Sequence, residues 1–111
     1  MMIYKILRAD EWEALRDRGE IPGPPVDVRD GFVHFSTGTQ LRETARRHFA
    51  GESGLELLAC DSDAMGADLR WEPSRRGDLF PHLYRALRRT DVVWHRPLPA
   101  DGSDLEPDLP A

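Results

Sequence analysis

The chain has 111 residues, of which 40% are hydrophobic and 32% are charged, and its formal net charge is −5. This length accommodates one hydrophobic core, so we expect a single domain. The negative charge disfavours general nucleic-acid binding, which needs a basic face, and no apolar run approaches the ~20 residues of a membrane span. The N-terminal segment does not resemble a secretory signal and Cys60 is the only cysteine, which predicts a cytoplasmic location.

The first part of the chain contains one predicted strand, one predicted helix and a predicted loop. The run MIYKIL, residues 2–7, alternates its side chains in the manner of a β-strand. The run ADEWEALRDRGE predicts a helix over about residues 10–18, with Asp10 as N-cap and Gly19 as its end. Three prolines and two glycines within residues 21–31 predict an irregular loop.

The run GFVHFS, which ends this loop, predicts a strand that leads directly into a second helix. Its alternation places Phe32, His34 and Ser36 on one face. Thr37 followed by Gln40 is a capping-box pattern, which is typical of a helix start. The N-terminal end of a helix exposes backbone N–H groups and favours anions, so this junction is a candidate anion site.

The second half of the chain consists mainly of short predicted strands, in the runs LELLACD, DLRWE, LFPHLYR and DVVWHRPL. With the first half, they amount to about six strands and two main helices. We therefore expect an α+β domain over residues 1–100, built on a single split or mixed sheet. The tail over residues 101–111 is acidic and contains proline, and we expect it to be frayed.

Polar side chains interrupt the apolar pattern of these strands and define the candidate site. The chain has no glycine-rich phosphate loop, nucleophile elbow or Cys/His pair at metal-ligand spacing, so these candidates form a constellation rather than a motif. No metal site is expected, because no local ligand pair is present. The catalytic candidates are His34, Glu72 and His82, and the ligand-binding candidates are Ser36, Thr37, Trp71, Arg75, Arg76 and Tyr84.

Each candidate also has an ordinary structural interpretation. His34 lies among aromatic residues and can be a core histidine with a satisfied ring nitrogen, and Glu72 can be a surface partner of an arginine. The hydroxyl residues at the helix start can be caps, and His48 and His95 are interpreted as structural. A site role for His34 predicts that His34→Leu leaves stability unchanged or raises it while abolishing binding, whereas a core role predicts lost stability.

Three runs of the sequence resemble, in order and spacing, the bacterial domain-of-unknown-function family 952. They are the opening YKI followed by Trp12, then DGFVHFSTGTQLRETA, and then LRWEPSRRGDLFPHLY. The resemblance extends from Tyr4 to about Leu98. Members of that family are similar to small relatives of the ADP-ribosyltransferase superfold, which implies a split sheet that grips NAD or another ADP-ribosyl group.

The resemblance also implies roles for several of the candidate residues. In ADP-ribosyl transfer the nicotinamide leaves from a ribose with oxocarbenium character, which needs hydrogen bonds to the ribose and an aromatic wall for the base. Apart from the resemblance, Arg75 and Arg76 lie in the loop SRRGD between the predicted strands of Glu72 and His82, where we expect them to meet a phosphate. The implied roles are ribose binding for His34, ribose or phosphate positioning for Ser36 or Thr37, a base wall for Tyr84, orientation of a 2′-hydroxyl or acceptor for Glu72, and a second polar contact for His82.

Three functions follow as hypotheses. The first is an enzyme that binds an NAD-like, ADP-ribosyl or phosphorylated nucleotide ligand, with NAD as a possible substrate, and acts as a transferase, a glycohydrolase or a 2′-phosphate transferase. The second is a noncatalytic nucleotide-binding module, which a solvent-directed Glu72 would favour. The third is an interaction protein with structural histidines, which the absence of a pocket between the His34 and His82 strands would favour.

Overall fold

The computed structural model describes residues 1–98, apart from the side chain of Arg75, so the predicted frayed tail lies outside the described residues. Eight strands occur in this range: β1 (Met2–Leu7), β2 (Glu20–Ile21), β3 (Val33–His34), β4 (Leu55–Asp61), β5 (Leu69–Pro73), β6 (Leu79–Leu83), β7 (Leu87–Arg88) and β8 (Val92–Leu98). The α-helices described are α1 (Ala9–Arg18), α2 (Pro25–Asp30) and α3 (Gly38–Phe49). No helix within residues 1–98 is long and apolar enough to cross a membrane.

The α+β class is confirmed, but the strands of the described range form three small antiparallel sheets instead of the single sheet expected. The sheet orders are β1–β4–β8, β2–β7 and β3–β6–β5. The first and third sheets meet at one bridge, where Tyr4 and Ser36 exchange backbone hydrogen bonds of 2.7 and 2.9 Å. Side-chain alternation identifies a strand without identifying its partner, and the two-residue β7 is too short to show any alternation.

The first strand, β1, is covered on both faces. Ile3 and Leu7 pack into a core cluster that also contains Leu15 of α1. Tyr4 and Ile6 point the other way and pack into a second cluster, to which α3 contributes a buried leucine. Strand β1 therefore lies between two core clusters.

Helix α2 lies within the segment predicted to be an irregular loop, so that prediction is wrong. Pro25 occupies the first turn, where a missing N–H costs nothing, and Gly31 ends the helix with φ of 87°. The helix buries Asp27 and exposes Val26 and Val28. Its polarity is therefore the reverse of the usual amphipathic pattern, which is why hydrophobic periodicity did not reveal it.

The two longer helices begin at different kinds of cap. The prediction for α3 is confirmed, since the Gln40 N–H donates to the Thr37 hydroxyl and the Gln40 side chain accepts from the Thr37 N–H. Asp10 is not the N-cap of α1: that position is Arg8, whose N–H donates to Glu11. Asp10 lies in the first turn instead, where a negative charge also favours the helix.

Candidate functional site

Two histidines face each other on the β3–β6–β5 sheet. His34 of β3 lies directly opposite His82 of β6, and residues opposite each other in an antiparallel pair share a face. Their ring centroids are 5.5 Å apart. Phe32 stacks on His82 with 4.0 Å between centroids and also contacts the ring of His34 at 4.6 Å. The structure therefore brings these two candidate residues together on one face of the sheet.

His34 contacts a buried ion pair. Its Nδ1 bonds to Oδ1 of Asp27 at 2.5 Å, and Oδ2 of Asp27 lies 2.7 Å from Nζ of Lys5. The Lys5 ammonium also donates to the backbone carbonyl of His34, at 2.8 Å. Burial lowers the pKa of Lys5, and the Asp27 carboxylate opposes that shift. Gly23 packs so closely that a Cβ there would lie 2.7 Å from Cβ of Asp27.

The other ring nitrogen of His34 also faces a carboxylate. Its Nε2 lies 3.0 Å from Oδ2 of Asp30, the last residue of α2. The second oxygen of that carboxylate accepts a hydrogen bond of 3.0 Å from Nε of Arg29. His34 therefore lies between two carboxylates, with one facing each of its ring nitrogens.

His82 is paired with a carboxylate on the neighbouring strand. Its Nδ1 lies 2.9 Å from Oε1 of Glu72, and the Tyr84 hydroxyl donates to the same oxygen at 2.6 Å. The hydrogen bond from Tyr84 lowers the pKa of Glu72 most, and the bond to His82 lowers it further. The hydrogen bond between Tyr84 and Glu72 also raises the pKa of the Tyr84 phenol. Arg70 lies over the Tyr84 ring at 4.6 Å.

Both histidines line a groove of about 630 Å³. Its walls include aromatic residues of β6 and α3 and the hydroxyls of Ser36 and Thr44, which lie 2.8 Å apart. Among the described residues the lining holds two carboxylates, Asp27 and Asp30, against four basic side chains, Lys5, Arg8, Arg29 and Arg47, together with His34, His48 and His82. Arg8 and Arg47 pair with Glu52 and Glu43, which are not among the described lining residues, and the apolar walls suit a flat ring.

A family model described as "Protein of unknown function (DUF952)" matches residues 6–95. The chain belongs to the DUF952 family. The DUF952 domain is also similar to the X-ray structure of protein CC0527 from Caulobacter crescentus, with a TM-score of 0.87, 46% identity, and coverage of 92% of this chain and 91% of that chain. The solution NMR structure of CC0527 gives a TM-score of 0.79, 47% identity, and coverage of 91% and 89%. A search of curated proteins gave no match.

The remaining candidates of the DUF952 domain are placed differently with respect to the groove. Ser36 lines it, whereas the buried Thr37 caps α3 outside the described lining. By strand alternation Trp71 lies on the opposite face of the sheet from the histidines, and it is 39% exposed. Arg76 bonds to Glu43 of α3 at 3.1 Å and is not part of the described lining. The side chain of Arg75 lies outside what the structure describes.

Several groove residues of the DUF952 domain were missed by the sequence interpretation. Lys5 and Asp27 are the clearest, because each is a charged residue that the fold buries beside His34. Lys5 interrupts the apolar alternation of MIYKIL, and that interruption is the signal that could have found it. Asp30 and Arg29 lie in the segment that was expected to be irregular, and His48 of α3 lines the groove although it was interpreted as structural.

Replacing Glu72 by glutamine is expected to reduce the acid sensitivity of the DUF952 domain. A carboxylate whose pKa is lowered by folding stabilises the folded state above its unfolded pKa, and this contribution is lost as the pH falls through the folded pKa. Tyr84 and His82 lower the Glu72 pKa in this way. Urea unfolding at about pH 7 and about pH 3 should therefore show a destabilisation of Glu72→Gln at the higher pH that shrinks at the lower one.

The matched control for this experiment is Glu13→Gln, at an exposed position of α1. The difference in unfolding free energy between this variant and the wild type should stay the same at both pH values. A destabilisation of Glu72→Gln that is equally large at both pH values would show that the Glu72 charge does not stabilise this cluster.

Proposed function

We propose that the groove binds an NAD-like, ADP-ribosyl or other phosphorylated nucleotide ligand, and that the domain acts on it as a transferase or glycohydrolase. The observation that carries this proposal is the pair of facing histidines, His34 and His82, each bonded through Nδ1 to a carboxylate and both lining one groove. A carboxylate on one ring nitrogen orients the imidazole and directs the other nitrogen toward a reactant.

The size and charge of the groove support a nucleotide-like ligand. Its volume of about 630 Å³ falls within the range of ~300–1,000 Å³ typical of small-molecule sites. The basic side chains of the described lining offer hydrogen-bond donors that a phosphorylated ligand can share with their carboxylate partners. Phe80 and Phe49 offer apolar surface for a base or a nicotinamide ring.

An ADP-ribosyltransferase-like fold is part of the same proposal. Sheets β1–β4–β8 and β3–β6–β5 meet at the Tyr4–Ser36 bridge, and this arrangement is compatible with a split sheet that opens around a ligand. His34 lies two residues before the bridge, and Ser36 forms it. A ribose at this position would meet an imidazole and a hydroxyl from the same short segment.

The pairing of Glu72 supports catalysis over simple binding. Glu72 bonds to His82 and Tyr84 instead of pointing away from the site. We assign His82 the transfer or polarisation of a proton through the nitrogen opposite Glu72, and we assign His34 the binding of a ribose hydroxyl or phosphate. A 2′-phosphate transferase would use the same two groups, one to hold the phosphate and the other to move a proton.

A thermal-shift panel of NAD, ADP-ribose, nicotinamide and a 2′-phosphorylated RNA tests the proposal. A ligand at about 100 times its dissociation constant stabilises the folded state by ~2.7 kcal/mol. We expect such a shift with NAD or ADP-ribose for the wild type and for His95→Gln. His95 is a suitable control because it forms the same kind of carboxylate pair, with Glu56 at 2.6 Å, and is not part of the described groove lining. No shift with any of the four compounds would contradict the proposal.

A noncatalytic nucleotide-binding module is the second candidate, and one observation favours it. Glu72 does not line the groove itself, and the only carboxylates among the described lining residues are Asp27 and Asp30, both engaged by His34. Prolonged incubation with NAD separates the two functions. Release of nicotinamide that is lost in Glu72→Gln supports the enzyme, whereas binding without turnover supports the module.

A further inference from the structure

The carboxylate of Asp30 bridges two groups that would otherwise face a ligand. Its Oδ2 lies 3.0 Å from Nε2 of His34, and its Oδ1 accepts a hydrogen bond of 3.0 Å from Nε of Arg29. All three residues line the groove. An anion therefore already lies between the imidazole and the guanidinium, and it belongs to the chain itself.

We propose that Asp30 occupies the subsite for a phosphoryl group and that the phosphoryl group of the ligand displaces it. This inference rests on the proposed function and names the part of the ligand that His34 and Arg29 bind. A phosphoryl group offers more acceptor oxygens and more charge than a carboxylate, and it forms charge-assisted hydrogen bonds to both donors. The chain's own carboxylate competes with the ligand and weakens its apparent affinity.

The two aspartates that contact His34 differ in their freedom to leave. Asp27 is fully buried and pairs with the buried Lys5 at 2.7 Å, so its departure would leave an uncompensated ammonium. The Asp30 side chain is 31% exposed, and it ends α2. Its bonds lie at the surface, where an ion pair contributes little. Asp30 is therefore the displaceable partner, and Asp27 is the fixed one.

Displacement of Asp30 requires only a side-chain rotation. The N–H groups of Gly31 and Phe32 both donate to the carbonyl of Asp27, at 2.9 and 3.3 Å, so the backbone that follows Asp30 is fixed. The hydrogen bond from Arg29 holds the pKa of Asp30 below its ordinary range, so the group competes as an anion at neutral pH. Once Asp30 rotates out, the Arg29 guanidinium and Nε2 of His34 both remain in the groove lining, without the carboxylate between them.

Isothermal titration calorimetry with ADP-ribose and with pyrophosphate tests the inference. Asp30→Asn removes the competing charge and preserves side-chain size, so we expect about three- to tenfold tighter binding of both probes than in the wild type. Asp17→Asn is the matched control, since Asp17 accepts from the adjacent Arg16 at 3.2 Å and lies outside the described groove lining. It carries the same change of net charge and should bind both probes with wild-type affinity.

The outcomes distinguish this inference from the proposed function. Asp30→Ala is the second variant, because an asparagine carbonyl can still contact His34, and it should also bind more tightly. If the wild type binds the probes and neither Asp30 variant binds them more tightly, the displacement is wrong and the proposed function stands. If no variant binds either probe at millimolar concentration, the proposed function itself is wrong. Equal gains in Asp30→Asn and Asp17→Asn would assign the effect to net charge and would also overturn the displacement.

Discussion

Replacing Asp27 by asparagine will lower the free energy of unfolding by about 3–5 kcal/mol, the usual cost of leaving one partner of a buried pair uncompensated. Asp27 is fully buried, and its two oxygens contact Nζ of Lys5 at 2.7 Å and Nδ1 of His34 at 2.5 Å. Asparagine can still accept from His34, but it leaves the Lys5 ammonium buried without a counter-charge. Chemical denaturation of the variant and the wild type at neutral pH measures the difference.

The control for this result is a double-mutant cycle with Lys5→Met. Methionine replaces the ammonium by an apolar group of similar length, so Lys5→Met combined with Asp27→Asn should be more stable than Asp27→Asn alone. Such a recovery of stability would show that Asp27→Asn loses stability because of the unpaired charge and not because of altered packing of α2. A loss below about 1 kcal/mol in Asp27→Asn, which is typical of an exposed pair, would contradict the buried-pair account.

Replacing His34 by leucine is expected to abolish ligand binding and also to cost about 1–3 kcal/mol of stability, because the buried Asp27 loses a hydrogen-bond donor. This expectation replaces the sequence-based one, in which leucine in place of a site histidine leaves the stability of the domain unchanged or raises it. The two interpretations of His34 are not exclusive in this fold. Its Nδ1 bonds to a buried carboxylate, while the side chain remains 34% exposed and lines the groove.

The variant His34→Asn separates these two contributions. The asparagine amide can replace Nδ1 and keep the bond to Asp27, but it has no group at the position of Nε2. We expect its unfolding free energy to lie closer to the wild type than that of His34→Leu, with binding of ADP-ribose weakened about tenfold or more. Fluorescence-monitored unfolding and calorimetric titration of both variants supply the two readouts. Tight binding by His34→Leu would show that His34 serves the core alone.

Much of the site was predictable because strand alternation acts over short distances. Knowing that His34 and His82 lie on strands, and that Tyr84 directly follows the strand of His82, is enough to assign each a face, and the family-like runs indicated that these faces meet. Glu72 was recognisable as a polar residue beside Trp71 that interrupts a short strand. The capping box at Thr37 and Gln40 needs only local hydrogen bonds and was equally clear.

The support behind His34 was not predictable in the same way. Asp27 lies on a six-residue helix that exposes its valines, so neither hydrophobic periodicity nor charge pattern indicates its burial. Lys5 meets Asp27 only after β1 and α2 are brought together in the folded chain. Arg76 bonds to Glu43 of α3 and is not part of the described groove lining. This contact depends on tertiary packing between distant parts of the chain, which the local sequence does not indicate.

The most direct test of the proposed ligand site between His34 and His82 is an NMR titration of the ¹⁵N-labelled domain with ADP-ribose, followed through the histidine imidazole resonances. We expect saturable shifts of the His34 and His82 rings, which line the groove. The His95 ring, which pairs with Glu56, contacts Trp12 and is not part of the described lining, should stay unshifted. Saturable shifts confined to His95 and its neighbours, or imidazole resonances that stay unchanged up to millimolar ADP-ribose, would contradict the claim that the groove between His34 and His82 is the ligand site.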